Sequence, residues 1–88
     1  TLAWTIEFDK KAKKEFASIS SPIQKQIDKF LLKLGKSANP RVFGDALKGS
    51  LRSFWRYRVG DYRIICQIND KEIIVLILSI AHRKEVYL

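Results

Sequence analysis

The sequence predicts an α+β domain in which two helices pack on one face of a small, mostly antiparallel sheet, in the order β-α-α-β-β-β. Positions 51–88 contain three runs rich in β-branched and aromatic residues, divided by Gly60-Asp61 and by Asn69-Asp70 as in two successive hairpins. Before them, apolar residues recur at helical spacing from Lys10 to Gly35. We expect residues 1–88 to form a single domain.

The first strand and the first helix are expected at the N-terminal end. Side-chain alternation over Leu2 to Phe8 predicts the strand. Asp9 is a favourable N-cap residue and predicts a short helix from Lys10 to about Ser18. This helix carries apolar residues at helical spacing, namely Ala12, Phe16 and Ile19.

The second helix has a clearer start. Ser21 is expected to cap it, with Pro22 at the first helical position and Gln24 completing a capping box. An apolar stripe continues to Gly35, which is expected to end the helix. Lys36 to Ser50 is then expected to be a loop whose apolar residues pack on the core: Val42, Phe43 and Leu47.

The first hairpin gives the sequence its most unusual feature. With Gly60-Asp61 as a two-residue type II′ loop, Arg58 lies directly opposite Arg63. Because side chains alternate between the faces of a strand, Arg56 shares their face. The other face then carries the apolar and aromatic residues Trp55, Tyr57, Val59, Tyr62 and Ile64. Like charges directly opposite each other destabilise a sheet, so a polyanionic ligand is the expected reason for them.

The third strand is expected from about Lys71 to Ala81, and it returns to the end of the sheet that holds the Gly60-Asp61 turn. Regular alternation would put Ile80 on the face of Arg63 and Ile77 on the other. Both faces of this strand are apolar, which predicts a central strand. The residues that follow it should emerge close to the arginines, and they include His82, Arg83 and Tyr87.

Composition restricts the class of protein. The net charge of +8, from 17 Lys and Arg against 9 Asp and Glu, favours a polyanionic partner such as nucleic acid, with a solvated basic surface as the alternative. We expect neither a signal peptide nor a membrane span, because the first residues lack a basic region followed by an apolar one and the apolar runs are too short. Cys66 is the only cysteine, so a reduced, cytoplasmic setting is expected. One His and one Cys exclude a zinc site built from several Cys and His ligands.

The candidate site residues suit the cleavage of RNA. They are four arginines, a histidine and a tyrosine, namely Arg56, Arg58, Arg63, Arg83, His82 and Tyr87. The 2′-hydroxyl of RNA can attack its own phosphate, so neither a metal nor a cofactor is needed. Arginines would position the phosphate and stabilise its developing charge, and His82 could act as general base or acid. The structural alternatives are that Arg56 and Arg58 form salt bridges and that His82 is a surface residue.

The chain resembles the RelE toxins of bacterial toxin–antitoxin systems, within the RelE/ParE superfamily. The resemblance covers nearly all of it, and two segments carry it best: Gly60-Asp61-Tyr62-Arg63 before an apolar strand, and Ser79-Ile80-Ala81-His82-Arg83-Lys84-Glu85-Val86-Tyr87. The family implies a cytoplasmic, metal-independent endoribonuclease that cleaves mRNA in the A site of the 70S ribosome. A cognate antitoxin would inhibit it, and the pair would bind operator DNA through the antitoxin. No membrane partner is implied.

The resemblance also implies roles for single residues. Arg63 matches the arginine that holds the scissile phosphate, Arg83 matches an arginine near the leaving group, and Tyr87 matches a tyrosine that stacks on the substrate. Arg56 and Arg58 match two basic residues of the active site, which are lysines in the best-known family member.

An arginine does not give up its proton in practice, so Arg56 and Arg58 are not expected to act as the general base that a lysine at either position could be. His82 is expected to transfer the proton instead.

Two other functions remain open from the sequence. One is a ParE-like inhibitor of DNA gyrase with the same fold, and the other is a non-catalytic RNA-binding module. The arginines together with His82 and Tyr87 favour the nuclease.

Overall fold

The computed structural model describes residues 4–47, 49 and 54–82. Within them the chain forms a five-stranded sheet with the strand order β1-β5-β4-β3-β2, in which β1 is parallel to β5 and the other neighbours are antiparallel. The elements are β1 (Thr5–Phe8), α1 (Lys10–Ala17), α2 (Ser21–Lys36), a 3-10 helix (Pro40–Phe43), β2 (Asp45–Ala46), β3 (Phe54–Val59), β4 (Tyr62–Asn69) and β5 (Ile74–His82). The predicted α+β class and helix pair are confirmed, with β2 as an addition.

The start and the end of α2 differ from the prediction. The N-cap is Ser20, one residue before the predicted Ser21, and its side chain makes no capping bond. Gln24 does not complete a capping box, because its amide donates a 2.8 Å hydrogen bond to the carbonyl of Phe16 and so ties α2 to α1. The helix runs through Gly35, and the hydroxyl of Ser37 donates to the carbonyl of Leu34 at 2.7 Å beyond its end.

The predicted loop contains two short ordered elements. The 3-10 helix has about three residues per turn, so Pro40 and Phe43 face the protein while Val42 points outward. Val42 is 69% exposed, and the prediction that it packs on the core is wrong. The backbone then approaches β3 so closely that a Cβ at Gly44 would lie 2.2 Å from the carbonyl oxygen of Arg56. Glycine is therefore required where β2 begins.

The core lies between the two helices and one face of the sheet. From α2 it takes Ile27, Leu31 and Leu34, and from the strands it takes Tyr57, Ile64, Cys66, Val75, Ile77 and Ile80. The hydroxyl of Tyr57 is buried and donates a 2.7 Å hydrogen bond to the carbonyl of Pro40. None of the helices in the described residues has the length and apolarity that crossing a membrane requires.

A β-bulge in β5 reverses part of the predicted facing. Ile65 pairs with Ser79, but Cys66 pairs with Ile77, so Leu78 is an extra residue without a partner on β4. Ile80 therefore lies opposite Ile64 and joins the core, and its predicted place on the face of Arg63 is wrong. The strand also begins later than predicted, at Ile74, after a turn of four residues.

Candidate functional site

The β3–β4 hairpin brings the predicted arginines together. Arg58 pairs directly with Arg63, and Arg56 pairs with Ile65, as the predicted register requires. Gly60 has a φ of 59°, and Ile73 is the only non-glycine residue with positive φ in the described part of the chain. Positive φ at the first loop residue alone is the pattern of a type II′ turn. The turn thus fixes the register that places Arg56, Arg58 and Arg63 on one face, which we call the arginine face.

Salt bridges within the described residues do not explain two members of the arginine face, Arg56 and Arg58. Arg58 is exposed and Arg56 is half-buried, and neither has an ion-pair partner among the described residues. The Nε of Arg56 is buried and makes no hydrogen bond within that part of the chain. A buried donor without an acceptor is costly, so an anionic oxygen brought to this face would be stabilised by it. The arrangement can bind and polarise a phosphate.

His82 lies at the same end of the sheet but on the other face by register. It is the last residue of β5 and pairs with Tyr62, while the β5 partner of Arg63 is Ala81. The rings of His82 and Tyr62 meet edge to face with centroids 5.7 Å apart. Both residues line a cavity of 310 Å³ together with Glu15 and Ser18. A substrate would have to pass around the end of the sheet to contact both His82 and the arginine face.

Two of the predicted site residues, Arg83 and Tyr87, lie outside the described residues. Cys66 is fully buried, and burial raises the pKa of its thiol to about 12. It lies four residues along β4 from Tyr62, the partner of His82, which is a distance of about 13 Å. A nucleophilic pair of Cys66 and His82 is therefore excluded. Within the described residues, no group of three or more His, Cys, Asp or Glu side chains is arranged for a metal ion.

Sequence reasoning missed two polar contacts. Arg41 makes two 2.8 Å bonds to the carboxylate of Asp70, and these bonds lower the pKa of Asp70 while linking the 3-10 helix to the β4–β5 turn. Glu15 on α1 accepts hydrogen bonds from the hydroxyl of Ser79 and from the backbone N–H of Ile80. The available signal was the position of Glu15 three residues after the buried Ala12, on the inner side of the helix.

Comparison with solved structures defines the class of protein. A chain of the toxin–antitoxin complex RelBE2 from Mycobacterium tuberculosis superposes with a TM-score of 0.84 at 25% identity, over 93% of this chain and 100% of that chain. A chain of the archaeal RelE–RelB complex from Pyrococcus horikoshii OT3 superposes with a TM-score of 0.76 at 24% identity, and the superposition covers 97% of this chain and 100% of that chain. The fold is that of a RelE-type toxin.

Comparison of sequences assigns the family. The model of the family described as ParE toxin of type II toxin–antitoxin system, parDE, matches residues 6–87. The chain therefore belongs to this family of toxins, within the RelE/ParE superfamily. It is also 29% identical over 89 residues to the mRNA interferase toxin RelE of Escherichia coli (strain K12). That alignment covers 98% of this chain and 92% of the relative.

Proposed function

We propose that this protein is the toxin of a type II toxin–antitoxin system and an endoribonuclease that cleaves mRNA in the ribosomal A site. The observation that carries the proposal is the arginine face, on which Arg56, Arg58 and Arg63 share one surface. Within the described residues, Arg56 and Arg58 have no ion-pair partner that would explain their presence there. The similarity to a relative named as an mRNA interferase supports the substrate class. The net charge of +8 suits approach to a ribosome, whose surface is rich in phosphate.

The reaction we propose uses only the substrate and protein side chains. The 2′-oxygen of a ribose forms a bond to the adjacent phosphorus, and the bond to the 5′-oxygen of the next nucleotide breaks. The 2′-hydroxyl gives its proton to a general base, and the leaving 5′-oxygen receives one from a general acid. The products are a 2′,3′-cyclic phosphate and a 5′-hydroxyl. No metal takes part, because permanently charged guanidinium groups stabilise the negative charge that develops on the phosphate oxygens.

Each site residue has a role in this proposal. Arg63 holds the scissile phosphate, and Arg56 and Arg58 bind the same phosphate or its neighbour across the arginine face. His82 moves a proton at the end of the sheet, because an imidazole ring nitrogen can accept a proton and return it, whereas a guanidinium group keeps its proton. Arg83 and Tyr87 follow the end of β5 in sequence, and we propose that they support the leaving group and stack on the substrate.

The partners follow from the same proposal. A cognate antitoxin inhibits the toxin, as the toxin–antitoxin complexes among the structural relatives lead us to expect. Acidic antitoxin residues would complement the arginine face and exclude RNA from it. The active form works in the cytoplasm on the 70S ribosome, and the toxin reaches operator DNA only through its antitoxin.

A second candidate function is inhibition of DNA gyrase. The observation in its favour is that the matching family model is described as the ParE toxin of parDE. A gyrase inhibitor needs the fold and a binding surface, but no arrangement for phosphate cleavage. Substitution on the arginine face therefore separates the two candidates.

The test is to induce the protein in cells and to map mRNA 5′ ends and DNA breaks in the same cultures. We expect new 5′ ends inside translated codons, and we expect Arg63→Ala to abolish them while still binding the antitoxin. Lys29→Ala, which removes the same charge from an exposed position on α2, should cut as wild type does. Gyrase-linked DNA breaks with intact mRNA would reject the nuclease and support the gyrase inhibitor. Wild-type cleavage by Arg63→Ala would reject the proposed site.

A further inference from the structure

The carboxylate of Glu15 holds the last part of β5, although Glu15 belongs to a helix. It accepts hydrogen bonds from the backbone N–H of Ile80 at 3.1 Å and from the hydroxyl of Ser79 at 3.2 Å. Its second oxygen lies 3.5 Å from the same hydroxyl. Ser79 and Ile80 are 6% and 2% exposed, so water offers them little alternative. Hydrogen bonds to an ionised carboxylate are stronger than those between neutral groups.

The strand order explains why a side chain is needed at this point. β1 pairs with β5 only from Ile74 to Ile77, opposite Thr5 to Phe8, and the chain then turns away into α1. Beyond Ile77, β5 has β4 on one side, and no strand of the described residues pairs with its other side. The N–H of Ile80 points to that unpaired side, where a neighbouring strand would have supplied a carbonyl. The carboxylate of Glu15 takes the place of that carbonyl.

The same contact lies at the β-bulge. Leu78 is the extra residue of β5, and the two residues that bind Glu15 follow it directly. A bulge bends a strand and changes which face its later residues occupy. If β5 lost the bulge, the residues beyond it would shift by one position against β4, and His82 would no longer lie opposite Tyr62.

We propose that Glu15 is a positioning residue for RNA cleavage. It fixes the bulged conformation of β5 and thereby sets the position of His82 at the end of the sheet, opposite Tyr62, where a substrate that is held on the arginine face and passes around the sheet end would meet it. Glu15 acts through β5 and does not touch the substrate. This inference rests on the nuclease proposed above, and it adds a residue from the helical layer to the site.

The test uses Glu15→Gln, which keeps the size of the side chain and one oxygen acceptor but removes the charge. Glu72→Gln removes the same charge from an exposed turn and serves as the control. Single-turnover cleavage of mRNA is measured on programmed ribosomes at saturating ribosome concentration, beside ribosome binding. We expect Glu15→Gln to cleave about tenfold to a hundredfold more slowly, because small misplacements of reacting groups carry penalties of that size. Binding to the ribosome should be unchanged.

Two further measurements separate positioning from a purely structural role. In the His82→Ala background, Glu15→Gln should have a much smaller effect on the rate, because the two residues act on the same step. The NMR signals of the His82 ring should also move in Glu15→Gln and not in Glu72→Gln, since the ring lies against Tyr62. Equal fold losses in both backgrounds, with an unmoved His82 ring, would overturn the inference.

Three other outcomes of these experiments also test the role of Glu15. If Glu15→Gln does not fold, Glu15→Asp keeps the charge but draws the carboxylate back from the N–H of Ile80 by one methylene, and wild-type cleavage by that folded variant would overturn the inference. Wild-type cleavage by folded Glu15→Gln would overturn it while leaving the proposed nuclease intact. If the wild-type protein itself does not cut mRNA, the proposed function fails, and the role of Glu15 in cleavage fails with it.

Discussion

Replacing Arg58 by glutamine removes one of two like charges that face each other across the β3–β4 hairpin. Directly opposite positions hold their Cβ atoms about 5 Å apart, and long side chains splay so that the charged groups lie farther away. At about 6–10 Å in a water-like dielectric, two unit charges repel by about 0.4–0.7 kcal/mol. We therefore expect Arg58→Gln to raise the free energy of unfolding by about 0.5 kcal/mol at low salt. For a domain of this size, that is a rise in Tm of about 2–4 °C.

Thermal unfolding followed by circular dichroism measures this effect, with Arg58→Lys as the control that keeps the charge. The rise in Tm of Arg58→Gln over the wild-type protein should shrink as salt is added and nearly vanish at about 1 M, where the screening length is about 3 Å. The same variant should lose cleavage activity, so stability would rise as function falls. A lower Tm for Arg58→Gln at low salt, or a gain that does not respond to salt, would refute the claim that the arginine face is retained at a cost in stability.

Three further predictions test the surrounding structure. Tyr57→Phe removes the buried bond to the carbonyl of Pro40 and should lower the free energy of unfolding by about 1–3 kcal/mol in urea denaturation, and an unchanged midpoint would contradict the contact. Gly44→Ala places a Cβ against the carbonyl of Arg56 and should lower Tm by several degrees, whereas a tolerated alanine would mean that the backbones do not approach so closely. Cys66 has a folded-state pKa of about 12 against an ordinary value of 9.0, so its contribution to stability is full below pH 9 and is lost as the pH rises towards 12. Its thiol should resist alkylation at pH 8 until the protein unfolds, and rapid labelling of the native protein would argue against its burial.

The arginine face was predictable because one short turn determines it. Gly60 tolerates positive φ, the two-residue loop fixes which residues are opposite, and alternation then assigns the faces of Arg56, Arg58 and Arg63. These steps depend only on local geometry. The helix positions followed in the same way from apolar spacing, although the predicted cap of α2, Ser21, was wrong by one residue, because the adjacent Ser20 is the same residue type.

The bulge in β5 was not predictable from the sequence. Around Leu78 the strand is apolar on both faces, so the insertion of one residue leaves no break in an alternating pattern. No Gly or Pro marks the position either. The features that accompany it are tertiary: β1 ends at Phe8, and Glu15 of α1 accepts a hydrogen bond from β5 at Ile80. The facing of Ile80 and His82 follows from the bulge.

The central claim is that the arginine face holds an RNA phosphate while the neighbouring 2′-hydroxyl attacks it. The most direct measurement is the cleavage of an mRNA on programmed ribosomes, compared with the same mRNA carrying a single 2′-deoxy nucleotide at the cleaved position. We predict a 2′,3′-cyclic phosphate and a 5′-hydroxyl from the unmodified mRNA, and no cleavage at that position in the mRNA with the 2′-deoxy nucleotide. Equal cleavage of both would contradict it.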